Sequence, residues 1–417
     1  MAEKQETPFS ASPVSGIEKP LAGLRIVEIG HFIAAPFAAR LLGDLGAEII
    51  KVEPPVSGDP SRGWGLAESG KSIWWPVHGR NKKSIAIDIK SNEGREIALG
   101  LIASADAVIE NFRPGQFDRW GLSEQAIRAV NPSCVIVHLS GFGQTGSKRD
   151  KVAFGVIGEA MGGLRHLTAY PPGTSSLPPI RTGVSLSDSV AALYAVIGLL
   201  AALHARGKGK EAATVDVALY EAIFSLLEGC LPEFGKLGVV RQPTGSTLPT
   251  NAPSNAYLCG DGAWICIAGN SDRIFGRLMT LIERPELSLD PRFATNWGRV
   301  ENAEELDLAI GRWTAGRTAQ QAMESLDAED VPASLVYTIA DCVQDPHFHE
   351  RGMIATLPDK ALGEILHPGV VPMFNGERLP IGTSGPELGA DTDALLEEIL
   401  GFDSSHIREL KQKGVVQ

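Results

Sequence analysis

Between Leu24 and Leu139 the hydrophobic positions switch repeatedly between strand and helix spacing. Leu24-Arg-Ile-Val-Glu-Ile29 is a strand-length apolar run, Pro36–Leu45 carries apolar residues at helical spacing, and Glu48-Ile-Ile-Lys-Val52 is the next strand before the turn at Glu53-Pro-Pro. The alternation continues with a strand over Ser84–Asp88, a helix over Glu93–Ala103, a strand over Ala107–Glu110, a helix over Ser123–Val130 and a strand over Val135–Leu139. Strands separated by helices imply an α/β fold with a parallel sheet covered by helices, Rossmann-like in its order. Ligands on such sheets sit beyond the carboxyl ends of the strands, here Gly30-His31, Glu53-Pro54, Asn111-Phe112 and Ser140-Gly141.

The pattern then changes. Val190–Leu203 is the longest apolar run, shorter than the roughly 20 residues that span a bilayer, and is expected to be a buried helix and not a membrane anchor. A second helix is expected over Val215–Leu227, followed by the Pro- and Gly-punctuated stretch Gln242–Pro253. Tyr257–Ala268 reads as a hairpin around Asp261-Gly262, and helices are expected near Asp272–Ile282, Ala303–Thr314 and Thr318–Asp327, a smaller α+β domain. Short strands and loops lead from Val336 to a terminal helix near Ser404–Gln412.

Composition narrows the function. A formal charge of −12 opposes general nucleic-acid binding, which depends on clustered Lys and Arg. Five cysteines without a C-x-x-C pair indicate neither a disulfide framework nor a zinc site, and the first 19 residues, polar and without the apolar centre of a signal peptide, are expected to be a loose arm. A cytoplasmic location is expected. His347 and His349 beside Asp345 make a poor metal set, so no metal is expected.

Asp188 stands at the mouth of the apolar helix. The unpaired N–H groups and the positive dipole end of a helix's first turn favour an ionised, fixed carboxylate, as a carboxylate nucleophile requires. A helix cap is the competing role. A nicotinamide dehydrogenase is not expected, because Gly30-His-Phe-Ile-Ala-Ala-Pro36 lacks the glycines of the dinucleotide fingerprint.

Several segments together resemble the class III CoA-transferases, the CaiB/BaiF family of formyl-CoA and carnitine-CoA transferases. They are Leu21-Ala-Gly-Leu-Arg-Ile-Val-Glu, Leu45-Gly-Ala-Glu-Ile-Ile-Lys-Val-Glu53 with Gly58-Asp59, Asn81-Lys-Lys-Ser-Ile-Ala-Ile-Asp88, Glu110-Asn-Phe-Arg-Pro-Gly115, Gly245-x-x-x-Pro249-x-x-x-Pro253-x-x-x-Tyr257 and Gly352-Met353. The resemblance implies an interlocked homodimer. Each chain would have an arm over 1–19, a large Rossmann-like domain over 20–228, a linker and small domain over 229–335, and a return to the large domain over 336–417. It implies Asp188 as nucleophile, passing through an aspartyl anhydride and an aspartyl-CoA thioester. Coenzyme A would be a co-substrate, with no permanently bound cofactor, and the partners would be an acyl-CoA and a carboxylic acid acceptor.

By the same resemblance Lys90 and Arg119 would contact the CoA nucleotide, Ile87 would make an apolar contact, and Lys151 is a further match. Arg80, Lys82 and Lys83 form a local basic cluster, and His31 and Asn111 stand at strand ends where they could line the site. Gly245 and Ser246 are candidates for a water-excluding lid. Arg165, His166 and Arg181 lie near Asp188 in sequence and would suit a second carboxylate, as in succinyl-CoA.

Oxalate and formyl specificity are not expected, because Phe154-Gly155 replaces the Tyr-Glu pair of the formyl-CoA transferases and Ile33 replaces a Gln. Phe154 also occupies the place of the histidine in the related α-methylacyl-CoA racemases, leaving His138 and His166 as substitutes in that alternative. A non-catalytic CoA-binding protein is the third reading.

Overall fold

The computed structural model describes residues 18–417, so the arm expected over 1–19 lies almost wholly outside the described residues. Six strands, β1 (Arg25–Ile29), β2 (Glu48–Glu53), β3 (Lys82–Ala86), β4 (Ala107–Glu110), β5 (Val135–Ser140) and β6 (Thr214–Ala218), form one sheet. Their order is β3-β2-β1-β4-β5-β6 and every pair is parallel. The order reverses between β1 and β4, the switch point at which open α/β sheets bind ligands.

Period-two alternation sends successive strand residues to opposite faces. On one face Val27, Ile50, Val108 and Ile136 pack with Ile97 and Leu101 of helix α2 (Asn92–Ala103) and Ile127 of helix α3 (Glu124–Val130). On the other, Ile26, Ile49, Ile109 and Val137 meet helix α1 (Ala34–Asp44) and the long helix that carries Asp188. Alanines 38, 39, 191, 192 and 195 are all buried there, which lets these two helices pack closely on the sheet and on each other.

The Asp188 helix corrects the expected span. After the short helix α4 (Gly155–Met161), helix α5 runs over Leu186–Gly207, 22 residues, because the helical backbone continues through polar Ser187–Ser189 and His204–Arg206 beyond the apolar run. Its length and mean hydropathy of 1.9 therefore match a membrane span by composition. Ala191, Ala195, Leu199 and Ala202 are buried in the sheet core, whereas Leu193 and Ile197 are 49% and 61% exposed. The helix expected over Val215–Leu227 is also corrected. Thr-Val-Asp-Val-Ala alternates with period two and pairs with β5 as β6, leaving helix α6 only Leu219–Phe224.

The described chain divides into two compact units, one of residues 18–165, 182–232 and 347–417, the other of 166–181 and 233–346. The first thus takes back the carboxyl-terminal part of the chain, and the excursion of 166–181 has no counterpart in the sequence reading. In the second unit β7 (Ser254–Leu258), β8 (Trp264–Ala268) and β9 (Ala333–Leu335) form an antiparallel sheet in the order β9-β8-β7. Helices α7 (Asp272–Leu281), α8 (Ala303–Ala315) and α9 (Ala319–Ala328) cover it through Leu278, Ile310 and Leu326. Helix α10 (Thr392–Leu400) and α11 (Ser404–Gln412) return to the first unit, where Leu395, Leu396, Ile407 and Leu410 join the α2 face.

Candidate active site

The loop between β1 and α1 is pinned at three consecutive residues. Lys51 Nζ, wholly buried, donates to the Gly30 carbonyl at 3.1 Å and bridges Glu28 at 2.6 Å and Asp59 at 2.8 Å. Asn111 accepts from the His31 N–H at 2.9 Å and donates to the His31 carbonyl at 2.8 Å. Asp59 accepts from the Phe32 N–H at 3.2 Å. Gly30 must lack a side chain, since a Cβ there would lie 2.7 Å from Ala35 Cβ and 2.8 Å from Asn111 Oδ1. Phe32 has φ +65°, an uncommon backbone for a bulky residue.

The carboxyl ends of β1, β2, β3 and β4 open on a cavity of about 410 Å³. His31, Ile87, Lys90 and Arg119 line it, four of the residues singled out from sequence, together with Phe112, Arg113 and Trp120, which were not. Phe112 and Arg113 belong to the Glu-Asn-Phe-Arg-Pro-Gly segment at the end of β4, and Trp120 follows it without a local signal. Lys90 and Arg119 are exposed, so both cations are available to an anion, and Arg119 is held by Gln116 at 2.7 Å. Burial keeps the His31 imidazole below its ordinary range despite nearby Asp59, so His31 is a neutral wall at pH 7 and not a phosphate cation. Asn111 acts by holding the His31 backbone and is not a lining residue.

The basic cluster is corrected. Arg80 is 1% exposed and makes a bidentate pair with Asp44 at 2.9 and 2.6 Å plus a bond to the Pro368 carbonyl at 2.5 Å, so it is a structural cation and not a phosphate ligand. Lys82 is buried against Glu28 at 2.7 Å and the Pro36 carbonyl at 2.7 Å, and burial lowers it to about 8. Lys83 pairs with Glu48 at 2.6 Å. Lys151 is exposed and lies outside the residues lining the cavity.

Asp188 is not the cap of its helix. Ser185 is the N-cap residue, so Asp188 is the third residue of the first turn. Behind it, Ser187 is fully buried and its hydroxyl donates to the Leu219 carbonyl at 3.0 Å, fixing that turn to α6. In front, the backbone of Gly155 approaches the half-buried carboxylate so closely that a Cβ would lie 2.0 Å from Asp188 Oδ2. Phe154, the neighbour of Gly155, is 62% exposed, and its ring meets that of Phe32 at 6.1 Å. A run of ring contacts continues from Phe32 to His31 at 6.3 Å, from His31 to Phe112 at 5.0 Å and from Phe112 to Trp120 at 4.7 Å. An aromatic track thus links the cavity to the flank of Asp188.

The remaining sequence candidates are dispersed. His138 shares the sheet face of Ile136, opposite the face that packs α5, and its Nδ1 is 2.5 Å from Glu110 Oε1. Burial raises the Glu110 carboxyl. Burial opposes charge on His138 too, but the bond and charge of Glu110 outweigh it and raise the ring above 6.5, so the pair holds a proton between them. It is no base for Asp188. Arg165 faces buried Glu159 at 3.6 Å, so this cation already has an acidic neighbour. His166, Gly245 and Ser246 belong to the second unit. There the His166 ring bonds the Arg241 carbonyl at 3.1 Å, Gly245 N–H donates to Ala169, and Ser246 donates to Asn255 at 2.5 Å. Among the described residues no cluster of His, Cys, Asp and Glu suits a metal ion.

The model of CoA-transferase family III matches residues 21–392. The chain belongs to this family. It is 43% identical to the succinyl-CoA–D-citramalate CoA-transferase of Chloroflexus aurantiacus over 95% of its own length and 98% of that protein. It is 34% identical to the succinyl-CoA–L-malate CoA-transferase alpha subunit of the same species, over 97% of its length and 95% of that subunit. Among solved structures, a CaiB/BaiF family protein from Brucella suis superposes with a TM-score of 0.80 at 32% identity, covering 91% of this chain and 99% of that one. This CoA-transferase is therefore an enzyme that uses CoA as a co-substrate, built on the mixed α/β fold with a parallel central sheet.

Proposed function

We propose that this CoA-transferase moves CoA from succinyl-CoA to a short carboxylic acid, with Asp188 as the nucleophile. The observation that carries the reading is the Asp188 carboxylate in the first turn of a 22-residue helix, set against the bare backbone of Gly155. A carboxylate oxygen attacks the thioester carbonyl, the carbon–sulfur bond breaks, and CoA leaves as thiolate from a mixed anhydride. The thiolate attacks the Asp188 carbonyl, releasing the donor acid and leaving an aspartyl-CoA thioester. The acceptor carboxylate then reforms an anhydride and a thiolate, and attack on the acceptor's carbonyl frees Asp188. Each step exchanges one acyl bond for another and needs no net proton.

The 410 Å³ cavity would take the CoA nucleotide, with Lys90 and Arg119 on its phosphates and Ile87, Phe112 and Trp120 against adenine. The aromatic track would carry the pantetheine arm toward Asp188. Succinyl-CoA is supported as donor by the names of both Chloroflexus relatives, whose acceptors, citramalate and malate, are hydroxy-dicarboxylic acids. We assign the protein to the cytoplasm as an interlocked homodimer, for which the exposed Leu193 and Ile197 on α5 supply apolar surface.

The test incubates the protein and Asp188→Ala with succinyl-CoA and a pool of short acids, hydroxy-dicarboxylates included, and identifies new CoA esters by mass spectrometry. Esters from the native protein alone support the reading. Equal ester formation by folded Asp188→Ala sinks it.

A further inference from the structure

We infer that Gly155 is a positioning residue for the reaction, whose missing side chain is the seat of the Asp188 carboxylate; this rests on the reading of Asp188 as nucleophile. The three heavy atoms nearest to a Cβ built on Gly155 all belong to Asp188: Oδ2 at 2.0 Å, Cγ at 3.0 Å and Oδ1 at 3.6 Å. The carboxylate therefore occupies the volume that any other residue at 155 would fill.

The seat is rigid on both sides. Helix α4 is held against its neighbours by two further close approaches. A Cβ at Gly158 would lie 2.3 Å from Ser187 Oγ and 2.9 Å from Leu219 Cβ, and one at Gly162 would lie 2.6 Å from Ile223 Cγ2. Ser187, one residue before the nucleophile, is itself bonded to the Leu219 carbonyl at 3.0 Å. With α4 and α5 both packed against α6, a collision at Gly155 falls on the Asp188 side chain.

Gly155 does not have a left-handed backbone, unlike the glycines whose φ lies above +60°, so alanine is conformationally acceptable there. An added methyl group would meet the far end of a flexible side chain and not the backbone. The fold can accommodate it by turning the carboxylate aside. That displacement must exceed 1 Å to relieve a 2.0 Å approach, and a misplacement of about 1 Å at a reacting group costs roughly 100-fold in rate. Gly155→Ala should thus damage chemistry far more than folding or CoA binding. The same reasoning explains why a Tyr-Glu pair would not serve here: a Glu at 155 would demand a different direction for Asp188.

The experiment measures three quantities on Gly155→Ala, Asp188→Ala and the double variant in the full chain. They are succinate release from succinyl-CoA in a single turnover, KM for succinyl-CoA in steady state, and melting temperature. The expected result is that Asp188→Ala releases no succinate. Gly155→Ala is expected to release it roughly 100-fold more slowly, with KM within a few-fold of the native value. If Gly155→Ala also lowers the melting temperature, the double variant should recover it, because removing the Asp188 carboxylate removes the collision. Native release rates in Gly155→Ala beside an inactive Asp188→Ala would overturn the inference while leaving the nucleophile intact. A stability loss that persists in the double variant would overturn it too, placing the conflict elsewhere. Succinate release by Asp188→Ala at the native rate would instead refute the underlying reading.

Discussion

Asn111 offers a direct test of how the substrate loop is held. Its side chain makes two hydrogen bonds to one backbone unit, accepting from His31 N–H and donating to His31 C=O. Each is worth roughly 1 kcal/mol, so Asn111→Ala should loosen the loop by about 2 kcal/mol, close to a factor of 30 in the population of the pinned conformation. Water can reach the half-buried His31 backbone and recover part of that loss. His31 lines the cavity and Phe32 reaches Phe154, so the loss should appear as a raised KM for the acyl-CoA, by about tenfold or more, and not only as lower stability. Asn111→Asp sharpens the test. A carboxylate still accepts from the N–H but faces the carbonyl with no donor, so the variant keeps one bond and adds a repulsion. Initial rates across acyl-CoA concentration and urea midpoints should rank the native protein above both variants. If both variants keep the native KM and midpoint, the loop is held by other means and the account of Asn111 is wrong.

Lys90→Ala and Arg119→Ala should each raise KM for the CoA ester by about tenfold, the value of one charge-assisted contact, with a weaker dependence of KM on salt than in the native enzyme. Arg80→Met should leave KM unchanged in the folded fraction, because Arg80 is buried on Asp44; a phosphate role for Arg80 would show as a raised KM. The Glu110–His138 pair gives a pH signature. His138 titrates higher in the folded state than unfolded, so its contribution to stability is complete below its ordinary value of 6.5 and is lost as pH rises through the folded value; the raised Glu110 contributes in the same sense from its ordinary value of 4.5 upward. Urea midpoints should fall as pH rises above the ordinary His value, and His138→Gln should flatten that slope; an unchanged slope would remove the pair as its source.

The sheet was legible because its strands are short apolar runs separated by helical spacing, and five of the six strands lie close to where those runs predict them. β6 was misread because Thr214–Ala218 leads directly into α6, so a strand and a helix share one apolar stretch. The start of α5 escaped for the opposite reason: Ser185–Ser189 is polar, and hydrophobicity does not mark a first turn held by the buried Ser187 hydroxyl. Among site residues, Lys90, Arg119, Ile87 and His31 converge on one cavity, as residues at neighbouring strand ends must. Arg80 and Lys82 could not be told from surface cations, because their acidic partners Asp44 on α1 and Glu28 on β1 are distant in sequence and meet them only in the folded chain. Gly155 was noted as a departure from relatives, but its closeness to Asp188 depends on helix packing that no local pattern encodes.

Phe32 shows how the buried charges serve the site. Its left-handed backbone is a conformation that costs on the order of 1–3 kcal/mol and persists only where the surroundings overdetermine it. Here they do. Lys51 fixes the residue before last, Asn111 both backbone groups of the residue before, and Asp59 the Phe32 N–H itself. Lys51 can be buried because Glu28 and Asp59 neutralise it, and Glu28 in turn is shared with Lys82, so two cations and two carboxylates balance beneath the loop. Such a group adds little net stability over an apolar core, yet removing one member leaves an uncompensated buried charge at about 3–5 kcal/mol. Its effect is directional: it turns the Phe32 ring between Trp64 at 5.1 Å and Phe154 at 6.1 Å, and so places an apolar surface beside the residue that seats Asp188. The polar core of the sheet and the aromatic flank of the carboxylate are therefore one construction, with the Gly30–Phe32 loop as its joint.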